Sequence, residues 1–111
     1  MDINFNKENK SYAIKFEASE SGKVLGRAYL YIMFNDLHKE PFGFLEDVFV
    51  EEGNRGKGIG SSLVSGVISH AKKQGCYKII CTSRYKNTEV HKLYEKLGFK
   101  DHGKEFRIDL A

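Results

Sequence analysis

Two hydrophobic periodicities divide the chain: a two-residue alternation dominates up to Val50, and a helical spacing follows it. Apolar residues alternate with polar ones at Ile3 and Phe5 and again from Tyr12 to Ala18, across a polar turn, which predicts a β-hairpin over residues 2–18. Residues 24–34 are apolar on both faces at their end, as in a central strand, and residues 42–50 predict a further strand.

The second half of the chain predicts two helices, each followed by a short strand. The first helix carries an apolar stripe and stops at Gly75, and the second is closed by Gly98. Residues 77–82 predict a buried strand, and the alternation over residues 105–110 predicts a last one. The stripe positions are Ile59, Leu63, Val64, Val67, Ile68 and Ala71 in the first helix and Val90, Leu93, Tyr94 and Leu97 in the second.

The predicted order is four strands, helix, strand, helix, strand. An antiparallel meander that leads into a strand–helix–strand crossover gives an α+β (α/β sandwich) fold, with a mixed, mostly antiparallel sheet and helices on its faces. The length of 111 residues predicts a single domain over residues 1–111.

Composition is that of an ordinary soluble globular chain, with 41% hydrophobic and 30% charged residues. No apolar run reaches the ~20 residues of a membrane span, and the amino terminus lacks the layout of a signal peptide. We therefore expect a cytoplasmic protein without a membrane partner. Cys76, Cys81 and four scattered histidines have no metal-ligand spacing, so we expect reduced thiols and no metal.

Charge is distributed unevenly around a net value of +3. Residues 1–52 carry six Lys and Arg against ten Asp and Glu, whereas residues 53–111 carry twelve against five. An acidic half and a basic half could bind a cation and an anion respectively. No aromatic-basic interleaving or nucleic-acid motif accompanies the basic half, so we expect no nucleic-acid partner.

A glycine-rich turn, Arg55-Gly56-Lys57-Gly58-Ile59-Gly60, opens the first predicted helix. A helix start presents backbone N–H groups without intrahelical partners, and glycine lets a phosphate approach closely. The turn lacks the Walker pattern, and antiparallel strands precede it where a dinucleotide fingerprint would need βα units. On these residues alone, a phosphate site and a flexible loop with an ordinary helix start are equally good interpretations.

Two motifs together resemble the GNAT superfamily of N-acetyltransferases. The turn matches that family's acyl-CoA signature [RQ]-x-x-G-x-[GA], and residues 87–99 match N-x-x-A-x-x-L-Y-x-x-x-G-F, with Val90 replacing the small residue. The resemblance covers residues 24–110 and implies acetyl transfer from acetyl-CoA to a primary amine by direct attack on the thioester. A non-catalytic CoA-binding or regulatory module is the alternative.

The resemblance also implies a role for each matched position. The backbone of Val48 and Val50 would pair with the pantetheine arm, Asn87 would hydrogen-bond that arm, and Tyr94 would protonate the leaving thiolate. The pyrophosphate would be held by backbone amides, helped by two basic side chains: Gly58, Ile59, Gly60, Ser61 and Ser62, with Arg55 and Lys57.

The attacking amine must lose a proton, so a carboxylate near the pantetheine-pairing end of strand 42–50 would help as a general base. Glu46 is the first candidate and Asp47 the second, with a solvated acid as the alternative interpretation of either. For Tyr94, filling of the core is the alternative, because Leu93 and Leu97 share its stripe. A phenol, with a pKa of ~10, is a reasonable proton donor to a thiolate.

One departure from the family concerns the acceptor side. GNAT proteins usually place two helices between their first two strands, and here only residues 7–10 separate the predicted strands. The acceptor groove could be open, completed by a second subunit in a homodimer, or suited to a large substrate. The acidic residues around strand 42–50 favour an ammonium-bearing acceptor: a polyamine, an amino sugar, a lysine side chain or a protein amino terminus.

Overall fold

The computed structural model describes all 111 residues and contains four strands and two α-helices. The elements in chain order are β1 (Tyr12–Glu20), β2 (Lys23–Met33), β3 (Phe42–Val50), a 3₁₀ turn (Glu52–Asn54), α1 (Ile59–Lys73), β4 (Ile79–Ile80) and α2 (Thr88–Lys96). The sheet order is β1-β2-β3-β4, with two antiparallel pairings followed by a parallel one between β3 and β4. The predicted mixed, mostly antiparallel sheet is confirmed.

The core of the sheet lies under α1. Alternate residues of β2, together with Leu45 of β3, are almost fully buried, and α1 contributes the stripe that its periodicity predicted. Burial at these sites is the dominant stabilising term, at about 25 cal/mol per Å² of apolar surface. The residues concerned are Ala28, Leu30, Ile32, Leu45, Leu63, Val64, Val67 and Ala71.

Both helix ends agree with the predicted glycine stops. Gly75 follows α1 with φ +79°, and Gly98 follows α2 with φ +107°. These left-handed conformations suit glycine, which has no Cβ to clash. The predictions of both helices are therefore confirmed, with ends within a few residues of those expected.

Two predicted strands are wrong, and a third is shorter than expected. Residues 1–11 and 97–111 contain no strand, so the hairpin over residues 2–18 reduces to β1, and the strand over residues 105–110 does not form. The alternating apolar residues of these segments are exposed, including Phe5 at 97% and Leu110 at 92%. Alternation supplies one apolar face, but a strand also needs a hydrogen-bonded neighbour, and none pairs with them. The strand predicted over residues 77–82 spans only Ile79 and Ile80.

Contacts divide the chain into two compact units, residues 1–81 and 82–111. The first contains the whole sheet and α1, and the second contains α2. No helix precedes β1, so the two helices that the family places between its first strands do not occur in this chain. The single domain over residues 1–111 stays a prediction.

Gly26 allows the start of α1 to approach the sheet. It is buried in β2, and a Cβ added there would lie 2.8 Å from the Phe49 carbonyl oxygen and 3.2 Å from the Leu63 side chain. Ile59, the first residue of α1, would be 3.4 Å away. A side chain at position 26 would therefore push α1 away from the end of β3.

We predict that Gly26→Ala lowers the free energy of unfolding by about 1–3 kcal/mol, because the added methyl overpacks a site bounded by backbone. Gly66→Ala is the matched control: it lies within α1, and a Cβ added there would meet nothing within 4 Å. Alanine there should raise the free energy of unfolding by about 0.5–1 kcal/mol, since it favours helix. Urea denaturation of both variants measures the difference, and equal stabilities would contradict the packing argument.

Candidate functional site

The glycine turn connects the end of β3 to α1 through backbone conformations that few residues other than glycine adopt. Gly56 and Gly58 have φ of +80° and +81°. Gly58 is the N-cap residue of α1, and a Cβ at either glycine would meet no protein atom within 4 Å. The turn therefore faces open space on the side where side chains would project.

Six consecutive backbone N–H groups, from Gly56 to Ser61, donate to no acceptor in the chain. The first helical bond starts at Ser62, whose N–H donates to the Gly58 carbonyl oxygen at 3.0 Å. The open set of amides therefore ends at Ser61, one residue earlier than the predicted pyrophosphate site, and Ser62 retains only its hydroxyl for a ligand. No acidic residue occupies the first turn of α1, so the partial positive charge of the helix start is not offset there.

Two basic side chains flank these amides, and both have partners nearby. Arg55 Nε donates to the Val50 carbonyl oxygen at 3.0 Å, and its guanidinium lies 5.6 Å from the centre of the Phe49 ring. Lys57 Nζ lies 3.5 Å from Asn54 Oδ1, at the limit of a hydrogen bond. The first contact fixes one cation at the junction of β3 and the turn. The arrangement suits a polyanion, because full charges and unpaired amides occur together.

The strand that leads into the turn has one unpaired side. Pairing between β3 and β4 is limited to Gly43 with Ile79 and Phe44 with Ile80. From Leu45 to Val50, β3 is paired only with β2, so its other side has no strand neighbour; we call this side the open edge. An extended molecule could add to this edge as another strand does.

A β-bulge decides which residues present their backbone to the open edge. The Gly43 N–H points away from β2, donating to the Lys78 carbonyl oxygen, whereas the Glu51 N–H points toward β2 and donates to the Leu25 carbonyl oxygen. These residues are eight positions apart, so in a regular strand with its two-residue repeat both N–H groups would point to the same side of β3. The register shifts between Tyr29–Glu46 and Arg27–Phe49, which places one extra residue on β3. After the bulge, the backbone groups of Val48 and Val50 face the open edge.

Asp47 occupies the bulge with φ +54°, a left-handed conformation that costs an L-residue about 1–2 kcal/mol. Arg27 holds its carboxylate from the neighbouring strand by two hydrogen bonds, Nε–Oδ2 at 2.8 Å and Nη2–Oδ1 at 3.0 Å. These hydrogen bonds hold the pKa of Asp47 below its usual value. Both oxygens are thus engaged, which makes the second candidate a poor proton acceptor.

Glu46, the first candidate base, is exposed, and its side chain forms no hydrogen bond or ion pair. It lies directly opposite Tyr29 on β2, on the sheet face away from the buried Leu45. Tyr29 stacks on Tyr31 at a ring distance of 6.0 Å, and Tyr31 contacts the Phe44 ring at 6.4 Å. We call Tyr29, Tyr31 and Phe44 the aromatic face. Sequence reasoning missed it, although tyrosines two residues apart on a predicted strand were a signal that they share a face.

The second unit carries the other two predicted site residues, seven positions apart on one helix. Asn87 is the N-cap residue of α2, but its side chain does not cap the helix and forms no hydrogen bond. Its carboxamide therefore has donors and an acceptor available for a ligand. Tyr94 is half-buried, and its ring lies 5.4 Å from that of Phe99. The roles of both residues stay predictions.

The two thiols lack the electropositive surroundings that activate a cysteine. Cys76 and Cys81 are free, as expected, and burial raises the pKa of both, that of Cys81 to about 11. No group of three or more potential metal-ligating side chains occurs in the structure. Neither α-helix combines the length and hydropathy needed to cross a bilayer.

Comparisons with known proteins agree on one family. The family model described as acetyltransferase (GNAT) matches residues 2–99. The glucosamine 6-phosphate N-acetyltransferase of Trypanosoma brucei brucei is 35% identical over 91 residues, which cover 81% of this chain and 60% of that protein. This chain thus spans less than two thirds of that relative.

Solved structures share the fold. The crystal structure of a Trypanosoma brucei acetyltransferase matches with a TM-score of 0.76 at 33% identity, over 88% of this chain and 69% of that one. Glucosamine-6-phosphate N-acetyltransferase from Arabidopsis thaliana matches with a TM-score of 0.79 at 26% identity, over 89% and 67%. The predicted fold class and the resemblance read from the two motifs are both confirmed.

Proposed function

The chain belongs to the acetyltransferase (GNAT) family, and from this premise we propose that it transfers the acetyl group of acetyl-CoA to a primary amine. The observation that carries the proposal is the run of open amides from Gly56 to Ser61 next to the open edge of β3. The open amides suit a pyrophosphate, and the open edge suits an extended, amide-containing arm. Acyl-CoA contains a pyrophosphate followed by such an arm. The amides of residues 58–61 would hold the pyrophosphate, with Arg55 and Lys57 adding positive charge.

The arm of the cofactor would lie along β3. In the proposed complex, backbone groups of Val48 and Val50 hydrogen-bond the pantetheine amides, in the manner of an added strand. Val50 contributes its N–H, because its carbonyl oxygen already accepts from Arg55 Nε at 3.0 Å. Asn87 would supply a further hydrogen bond from its free carboxamide. This arrangement directs the thioester toward the Glu46 end of the strand, because the pyrophosphate is anchored at the other end.

The acceptor would approach over the aromatic face. Tyrosine and phenylalanine rings attract an ammonium group through their π-electrons, and Glu46 adds a full negative charge beside them. Relatives named glucosamine 6-phosphate N-acetyltransferases favour an amino sugar among the amines considered. Glu46 would take the ammonium proton directly or through water, the amine would attack the thioester carbon, and the Tyr94 phenol would protonate the departing thiolate.

We propose a cytoplasmic enzyme that needs no metal, since direct attack uses only acid–base groups. The alternative is a CoA-binding module without catalysis. The aromatic face beside an unpaired carboxylate favours the enzyme, because a cofactor-binding module would have no need of an amine site.

We expect acetyl-CoA to bind with a micromolar Kd in isothermal titration calorimetry, comparable to the KM values of about 1 μM–1 mM that are usual for enzyme substrates. Gly58→Ala should weaken binding about tenfold, because its methyl group enters the space of the phosphate and strains a left-handed residue. Gly22→Ala is the matched control, since Gly22 has φ +78° in the β1–β2 turn with nothing within 4 Å. A folded wild-type protein that binds no acetyl-CoA would exclude both CoA-dependent functions.

Glu46→Gln should lower kcat/KM for the amine by about 10²–10⁴-fold at neutral pH, with acetyl-CoA affinity unchanged. The deficit should narrow as pH rises, because the free amine then forms without the carboxylate. Glu51→Gln, an exposed acid beyond the same strand, is the control and should behave as wild type. A thiol-release assay over an amine panel measures kcat/KM for both variants. An unaltered rate for Glu46→Gln would show that Glu46 is not the base.

Tyr94→Phe should lower turnover about 10²-fold while acetyl-CoA affinity stays within about twofold, since the ring is kept and only the proton donor is lost. Tyr85→Phe removes a hydroxyl from a tyrosine that is 85% exposed and serves as the control. Turnover is measured under saturating acetyl-CoA. If the two variants turn over equally, Tyr94 is not the acid.

A further inference from the structure

We infer that Arg27 and Asp47 are positioning residues that hold the β-bulge of β3 and thereby select the backbone groups offered to the acyl-CoA arm. The inference rests on the proposed function for the identity of the ligand. The bulge itself and the Arg27–Asp47 ion pair at the bulge are features of the structure and do not depend on the proposed function.

The bulge has a direct consequence for ligand binding. Without it, β3 would continue its two-residue repeat from Gly43, and the backbone groups of Asp47 and Phe49 would face the open edge. Those of Val48 and Val50 would then be paired with β2. A one-residue slip therefore moves every donor and acceptor offered to the arm by one position, and turns the side chains beyond it to the opposite face.

The chain uses aspartate where bulges of this kind usually have glycine, so something must offset the left-handed strain at position 47. Arg27 provides that interaction from the strand on the other side. It is paired with Phe49, the second residue past Asp47, and its guanidinium also lies 4.7 Å from the Phe49 ring. The planar guanidinium of Arg27 thus forms two parallel hydrogen bonds with the carboxylate of the bulged residue, and its flat face contacts the ring of Phe49 beyond the bulge.

The neighbouring charges do not replace this contact. Lys15 and Glu51 act on the pair only through longer-range electrostatics, and Lys15 forms its own ion pair with Glu17 at 3.3 Å. The Arg27–Asp47 pair is half-exposed, so its charge attraction alone would be screened. The two directional hydrogen bonds, rather than the charge attraction, are therefore what holds Asp47 in place.

The test is a double-mutant cycle of Arg27→Ala and Asp47→Gly, with Lys15→Ala as the matched control for loss of a cation. Glycine adopts the left-handed conformation without help, so Asp47→Gly should keep acetyl-CoA affinity within about threefold, with or without Arg27. Arg27→Ala alone should raise the acetyl-CoA Kd about tenfold, and Lys15→Ala should leave it unchanged.

A readout without cofactor separates this inference from the proposed function. Val50 and Gly26 face each other as a non-hydrogen-bonded pair, with α-carbons about 4.5 Å apart, so a strong Hα–Hα nuclear Overhauser contact reports the bulged register. We expect that contact in wild type, in Asp47→Gly and in the double variant, and its weakening in Arg27→Ala. These spectra decide the inference even if acetyl-CoA does not bind, an outcome that would overturn the proposed function instead.

Two results would overturn the inference. One is an unchanged register and affinity in Arg27→Ala, which would show that the bulge holds itself. The other is an equal loss of acetyl-CoA affinity and of the bulged register in Arg27→Ala and in the double variant, which would show that Arg27 acts on something other than Asp47. If Arg27→Ala fails to fold, a double variant that folds and binds acetyl-CoA as Asp47→Gly does supports the inference, because removing the strain at position 47 then removes the need for Arg27. A double variant that also fails to fold overturns it.

Discussion

Backbone polar groups that find no partner within the fold are the constraint on which the rest of the site depends. A strand that loses its neighbour and a helix that begins without a cap both leave donors and acceptors exposed, and such groups are satisfied by water or by a ligand. Here both occur within a few residues of each other, along the open edge of β3 as far as the Val50 carbonyl, which Arg55 occupies, and over the amides of residues 56–61. The chain connects them with a turn rich in glycine, which no side chain obstructs.

Packing brings the two sets of groups to one place. Gly26 lets Ile59 and Leu63 approach the Phe49 carbonyl, so the start of α1 lies against the end of β3. Arg55 connects the turn to the Val50 carbonyl from the other direction. Since Val48 and Val50 face the open edge only after the bulge, three local features act together: a buried glycine, a register shift and an arginine contact.

The helices, the β3 strand and the glycine turn could be predicted from sequence because each is specified locally. The apolar stripe of α1 has helical spacing, and Gly75 and Gly98 stand where left-handed residues end helices. The segments around Phe5 and Phe106 show the limit of that approach. Their alternation is as good as that of β1, but strand formation depends on a partner strand, which local pattern does not specify.

The bulge was beyond sequence reasoning for a related reason, and it changes how the acidic stretch is interpreted. Glu46 and Asp47 are adjacent acids with similar local surroundings in sequence, and a regular strand would simply point them to opposite faces. In the structure the two acids differ in their side-chain partners: Arg27 binds both oxygens of Asp47, whereas the Glu46 carboxylate has no partner and lies opposite Tyr29. Negative charge in this stretch therefore has two purposes. One carboxylate is used within the sheet to hold a strained backbone, and the other is left facing the aromatic rings, where an ammonium group would gain from both. The count of acidic residues in the first half of the chain thus overstates the charge available to an acceptor.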